Sequence, residues 1–462
     1  MGAASAAGAP SFPLPILIAV ALLMAVPLFL AARRLEGDAA RFLIGAIWLR
    51  YIMSVFHVIT FKPLLAGLSL NAVGSILVTA FGLALLKQRH LLLKPLLPVY
   101  LLIALALFSA HLNAGLATAL NALVKYLYFC VLFVATYEAL RDNPAPRLFR
   151  LILVAFAPLL VFQALSIVTG VVKASELDGS RSYIGGYDHE AAFSVALATF
   201  FVAAAFAGGI NRWLKSALLV ALLVGIVLAN YRTTILAMVP FAAWLFVSRG
   251  ARRFLPAQRL PLLAAGALIA CALLFVAAGL AGDRFADLGR FLGDPSHYIK
   301  PQDEFSLDDR RLLSGRAYIW SGYIFMWIDG TPAQHLFGYG PDSWSDWFKV
   351  YPHNTMIAYL FELGLAGLAT LVWWWTAMVA LAMRARRGLR ADLLFALCSF
   401  ILLNLATMAL WQVEGLILFA LVCGYAMSSA LDARIVRLDG REGRKRRFGG
   451  GEDVVRGPLA PS

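Results

Sequence analysis

The chain has 462 residues, of which 61% are hydrophobic and 14% charged, and it carries a formal net charge of +14. So greasy a composition excludes a soluble domain and points to a polytopic membrane protein, overriding the two or three soluble domains that length alone suggests. Its four cysteines (Cys130, Cys271, Cys398 and Cys423) all fall inside apolar runs, where neither an exported disulfide framework nor a cysteine metal site is expected.

Along the chain, residues 1–10 lack the basic start of a secretory signal, so the first apolar run reads as a retained span. Apolar runs follow at 12–32, 42–61, 64–86, 95–111, 115–140, 148–170, 190–208, 215–231, 233–249, 261–282, 354–381, 391–410 and 414–431. Most approach the ~20 residues needed to cross ~30 Å of hydrocarbon. Pro27, Pro98, Pro158 and Pro240 lie within them, as membrane helices tolerate. The expected fold is an all-α polytopic bundle of about 12–13 transmembrane helices. Residues 1–282 supply about ten of these. Residues 283–352 form one large external loop, 353–431 complete the bundle, and 432–462 read as a basic, Gly-rich, disordered tail.

The connecting segments at 33–41, 87–94, 141–150, 209–215, 249–260 and 382–390, together with the tail, hold 27 of the 40 Lys and Arg residues. The positive-inside rule makes this set cytoplasmic, with the amino terminus outside and the carboxyl terminus inside. The charge is therefore a topology signal with no nucleic-acid partner, and Arg444-Lys445-Arg446-Arg447 is expected to meet anionic lipid. The external segment 283–352 differs: it holds ten acidic residues against seven Lys or Arg, and fifteen aromatics. Within it, Arg316–Ile328 is too short to span and reads as an interfacial helix or one packed over the spans.

The residues able to carry chemistry stand on this outer side. Arg181 and His189 flank the loop before the seventh span, Arg232 opens the ninth span, Arg316 opens the aromatic helix, and His353 closes the large loop. A diphosphate needs oriented positive charge, which arginine supplies through a planar, permanently charged fork of donors. The competing reading of Arg181 and Arg316 is a snorkelling or ion-paired loop residue. Arg232 interrupts a long apolar stretch, where a retained charge points to function. An imidazole at a span entrance suits a general base near neutral pH; the other reading of His353 is a helix-start residue beside the cap Asn354. Glu362 lies about 12 Å deeper on the same helix, as an arginine partner or a second acid/base. Arg50, His57 and Lys125 sit within spans and either line a polar site or bridge helices. Gly338-Tyr339-Gly340-Pro341 reads as a turn rather than a phosphate cradle. No Asp-x-Asp pair is present to hold a metal and nucleotide sugar, and no Cys/His cluster offers a metal site.

One spacing is specific. His353-Asn354 is followed after nine residues by Gly364 and after two more by Gly367. This pattern resembles the signature of the O-antigen ligase and polymerase superfamily. Arg232-Thr233-Thr234, Arg316 through Trp320 and Gly338-Tyr339-Gly340-Pro341 are similar to further family stretches, so the likeness is specific over roughly 180–370 and architectural elsewhere. Gly185-Gly186-Tyr187-Asp188-His189-Glu190 departs from the Asn-containing version expected there, which weakens the role of Arg181. The resemblance implies a GT-C-like architecture in the bacterial inner membrane with a periplasmic active site. It also implies inverting, metal-independent, cofactor-free transfer of a glycan from undecaprenyl diphosphate. His353 and Glu362 would be catalytic, Arg232, Arg316 and Arg181 would hold the diphosphate, and Asn354, His189, Arg50 and Lys125 would line the site. The acceptor would be lipid A-core or a growing glycan, with a protein hydroxyl as the alternative within the superfamily. The rival class is a flippase for the same lipid-linked glycan; it would account for the spans, Arg50 and Lys125 but not for the single large loop or the histidine at its exit.

Overall fold

The computed structural model describes residues 10–448 except 66, 114, 175–180 and, in the following stretch, 252–254, 256, 259, 262–263, 266–286, 288 and 292. The predicted run 261–282 thus lies almost entirely outside the described residues.

Every other predicted apolar run contains a helix, and the molecule is an all-α polytopic membrane protein. In chain order these are α1 (Leu14–Arg33), α2 (Asp38–Val55), α3 (Leu70–Leu85), α4 (Leu97–Leu112), α5 (Leu116–Asp142), α6 (Ala145–Thr169), α7 (Glu190–Phe206), α8 (Arg212–Leu228) and α9 (Arg232–Ala251). The loop helix α10 (Arg316–Ile328) and the short α11 (Pro332–Phe337) follow, then α12 (Thr355–Arg384), α13 (Arg387–Asn404) and α14 (Val413–Phe448). Among the described residues, six helices are long and apolar enough to cross a membrane: Leu14–Arg33, Lys94–Leu112, Thr118–Asp142, Ala145–Thr169, Thr355–Arg384 and Val413–Ile435. Leu70–Leu85, Glu190–Phe206 and Arg232–Ser248 are shorter apolar helices.

Two boundaries depart from hydropathy. The run at 64–86 begins as a hairpin, with Pro63–Leu65 paired antiparallel to Leu68–Ser69, because Pro63 lacks an amide donor and Gly67 takes φ +78 at the turn. Ser69 then caps α3, accepting from Ala72 N at 3.2 Å. At the other end α14 does not stop at 431. It runs on to Phe448, where disorder is expected of residues 432–448; six arginines and a lysine, good helix formers, let the helix propagate past the apolar segment despite Gly440 and Gly443. Residues 449–462 lie outside the described residues.

Helix α7 is buried on all sides and forms the centre of the bundle, as a uniformly apolar helix must. Helix α14 packs along α5 and α7, and an aromatic core joins them to α12 and α13: Phe400 stacks on Phe419 at 4.2 Å and Phe129 meets Trp374 edge-on at 4.8 Å. By contrast α1 packs on α6 and α2 and leaves Leu22, Leu23, Val26 and Phe29 exposed, the surface expected of a helix facing lipid tails. A buried ion pair joins α2 to α14 in this interior. Arg50 of α2 donates to Glu414 of α14 at 2.9 Å and also to Asn71, and Ser54 Oγ adds a 3.1 Å bond to the same carboxylate.

Candidate active site

The site begins with α10. Gly315 takes φ +80 ahead of Arg316, which opens the helix. One ridge of α10 then carries Arg316, Trp320 and Tyr323, spaced four and three residues apart. Trp320 Nε1 donates to the carbonyl of Pro352 at 2.7 Å, and the Tyr323 hydroxyl donates to that of Val350 at 2.8 Å. The segment they hold leads directly to His353, whose φ is +54. A left-handed non-glycine residue costs about 1–2 kcal/mol. Two hydrogen bonds worth about 0.5–1.5 kcal/mol each, with a cap worth about 1 kcal/mol, are of the right size to offset it. That cap is Asn354, whose side chain accepts from Met356 N at 2.9 Å and Ile357 N at 3.3 Å at the start of α12. The same first turn is tied to α13, since Thr355 Oγ1 donates to Asn404 Oδ1 at 2.8 Å.

The His353 ring lies 4.0 Å from the Tyr351 ring, tilted by 42°. Its Nδ1 is buried and makes no hydrogen bond among the described residues. Burial, then the neighbouring charges of Arg316 and His189, push the imidazole down to about 4. His189 caps α7 by accepting from Ala191 N through Nδ1 at 3.1 Å, which puts its proton on Nε2. Burial holds His189 low as well; Glu190 opposes this, Lys173 reinforces it, and Asp188 again opposes it. Glu190 itself is paired with Lys173 at 2.8 Å.

Arg232 opens α9 directly after Asn230, at φ +56, and Tyr231, whose hydroxyl accepts from Thr407 at 3.2 Å. Tyr231 interacts electrostatically with Tyr351, which brings the α9 start to the His353 cluster. The beginnings of α7, α9 and α12 therefore come together near His353, each presenting the positive end of a helix dipole. Arg181 is placed differently, exposed on a small hairpin in which Arg181–Ser182 pairs with Lys173–Ala174.

Glu362, Lys125 and Arg50 form a second centre deeper in the bundle. Glu362 is 4% exposed, its Oε1 has no hydrogen-bond partner among the described residues, and its charged neighbours are Asp342 and Lys125. Lys125 Nζ stands 3.3 Å from the centroid of the Trp411 ring. Asp342 is held by Asn121 Nδ2 at 2.7 Å. Arg50 is committed to Glu414, in the manner of a helix bridge rather than a free phosphate ligand.

Between the two centres lies a joint made of backbone. Helix α12 breaks at Gly364, where φ is +65 and ψ is −163. The carbonyls of Phe361 and Glu362 accept instead from Tyr339 N at 2.9 Å and Gly340 N at 3.0 Å in the loop that precedes α12. Ser109 Oγ also bonds the Glu362 carbonyl at 3.1 Å, and Asn113 Nδ2 bonds that of Gly338 at 3.2 Å. A Cβ on Gly338 would stand 2.3 Å from the Glu362 carbonyl carbon, and one on Gly364 would stand 2.4 Å from that of Leu336. Both glycines are therefore required by close backbone approach, and the turn itself follows the docked stretch, with Ser343 N donating to the Gly340 carbonyl at 3.3 Å. The loop aromatics pack over this joint: Tyr339 stacks on Phe361 at 4.7 Å, Phe361 meets Tyr323 edge-on at 5.0 Å, and Phe348 stacks on Tyr323 at 3.9 Å.

Residues 217–372 match the family model described as O-antigen ligase. This stretch, about a third of the chain, is similar to the O-antigen ligase family. No curated protein matches it. The O-antigen ligase match includes Arg232, Arg316, His353, Asn354, Glu362 and the whole backbone joint, whereas Arg50, Lys125, Arg181 and His189 lie outside it. Tyr351, Trp320, Tyr323 and Glu414 belong to the geometry around His353 and Arg50 and were given no role by sequence. A signal existed for Glu414, an acid opening an apolar run in a chain with an unmatched Arg50 in another.

Proposed function

We propose that the chain is an inverting, metal-independent glycosyltransferase that moves a glycan from undecaprenyl diphosphate to an acceptor hydroxyl on the outer face of the inner membrane, as a ligase or polymerase. The observation that carries this reading is the His353 cluster: a buried, unpartnered imidazole nitrogen beside Arg316, where three helix starts converge within or next to the O-antigen ligase match. His353 takes the proton of the acceptor hydroxyl as its oxygen attacks the anomeric carbon. The bond from that carbon to the diphosphate oxygen breaks, and the electron pair leaves with the diphosphate. Arg316 and Arg232, aided by the helix starts, stabilise the charge that develops there. His353 then returns its proton to water. Arg181 stands at the rim, where an exposed arginine suits a first encounter with the donor more than charge neutralisation.

The test is His353→Ala in the native host with membrane abundance verified. Loss of polymer or of capped lipopolysaccharide, with carrier-linked donor accumulating on the outer face, is the expected result, and the product that vanishes identifies the acceptor. Normal surface glycan would remove His353 as the base. Donor trapped on the inner face would point to a flippase, and activity abolished by a chelator would overturn the metal-free step.

A further inference from the structure

We propose that Trp320 and Tyr323 are positioning residues for His353, acting through the carbonyls of Pro352 and Val350; this rests on the role assigned to His353 above. The segment that carries His353 belongs to no helix or strand: a single turn at Trp344–Trp347 ends before it, and α12 starts only at Thr355. Pro352 has no amide hydrogen, so the chain cannot donate a bond at that position to hold its own course. Both hydrogen bonds that fix it come from α10. Tyr323 is 1% exposed and gripped by Phe348 on one side and Phe361 of α12 on the other, so its hydroxyl is aimed by packing. Trp320 lines an apolar cavity of about 200 Å³ with Phe291, Tyr298, Phe325 and Ile357, the last in the first turn of α12.

The same ridge begins with Arg316. One rigid helix thus sets both the guanidinium facing the leaving group and the strap that holds the base. Arg316 and His353 keep their separation because both are referred to α10, and the left-handed turn that aims the imidazole survives only while the two carbonyls are held. Trp320 and Tyr323 touch no reacting atom in this arrangement.

The test uses the full-length chain in detergent, the host's own lipid-linked glycan and the host acceptor. Tyr323→Phe removes one hydroxyl and Trp320→Phe one ring N–H, with aromatic packing kept. Each is expected to lower kcat about tenfold and the pair about 100-fold, the scale at which misplacement of a catalytic group by about 1 Å acts. KM for the donor should stay within about twofold, and thermal stability should stay near wild type. Amide exchange in peptides spanning 348–354 should quicken in both variants. Unchanged kcat, a loss carried by KM alone, or unchanged exchange would each overturn the proposal. Failure of the functional reading is separable, because it appears as full activity in His353→Ala whatever these two variants do.

Discussion

At neutral pH an imidazole of ordinary affinity is already mostly unprotonated, so holding His353 down to about 4 would not create the proposed base; it would widen the range over which that base survives. The sign follows from the surroundings, since burial and the Arg316 charge both disfavour the cation. The acid limb of kcat/KM should therefore fall near pH 4 rather than near the ordinary histidine value, as a pH–rate profile on the purified enzyme would reveal. On the proposed mechanism, bound diphosphate would bring negative charge beside the ring and favour the cation again, so the limb of kcat should lie above that of kcat/KM. Arg316→Gln should raise the kcat/KM limb while lowering the rate. A limb that stays in place in this variant would mean that Arg316 does not act on His353. Buried acids elsewhere answer differently. Glu414 is 1% exposed on its side chain and pairs with an Arg50 that is 10% exposed. Glu414→Ala leaves a buried guanidinium without its counter-charge, which costs about 3–5 kcal/mol and should lower the melting temperature in detergent sharply.

At the scale of elements, hydropathy made the helices legible because lipid demands long apolar runs whatever the tertiary structure. It did not reveal the break at Gly364, since the apolar run continues across 354–381 and a glycine there looks like any other small residue. Sequence spacing marked Gly364 and the 338–340 turn as notable, yet not as two halves of one joint: their relation is a backbone contact between distant segments. For the same reason His353 and Arg316 were readable singly, while Tyr351 and the strap from α10 were not. The joint predicts opposite outcomes for the same substitution. Gly364→Ala and Gly338→Ala force a Cβ into backbone at positive φ and should destabilise by several kcal/mol in a thermal melt. Gly388→Ala lies in α13 with open space around its Cβ and should stabilise by about 0.5–1 kcal/mol. Equal effects at the three sites would argue against the docked loop.

Across the whole molecule, the charge pattern predicts which side of the membrane each connection faces. If the basic connections face the cytoplasm, a membrane-impermeant thiol reagent applied to intact spheroplasts should label a cysteine at Lys349 and spare one at Arg390 until the membrane is permeabilised; labelling in the reverse order would invert the topology. The eventual extent of the last helix was beyond hydropathy, because past 431 it is carried by helix propensity and not by lipid. The joint has one more consequence, for how such a protein can diverge. Its two central bonds run from main-chain amides to main-chain carbonyls, so beyond glycine at the closest approaches and the aromatic cover of Tyr323, Tyr339 and Phe348 it asks little of the loop segment that precedes α10. The loop is in that sense a cassette on a generic plug. A chimaera that exchanges residues 283–315 for those of another chain matching the O-antigen ligase model, and retains 316–364, is expected to keep its seat while presenting a different outer face.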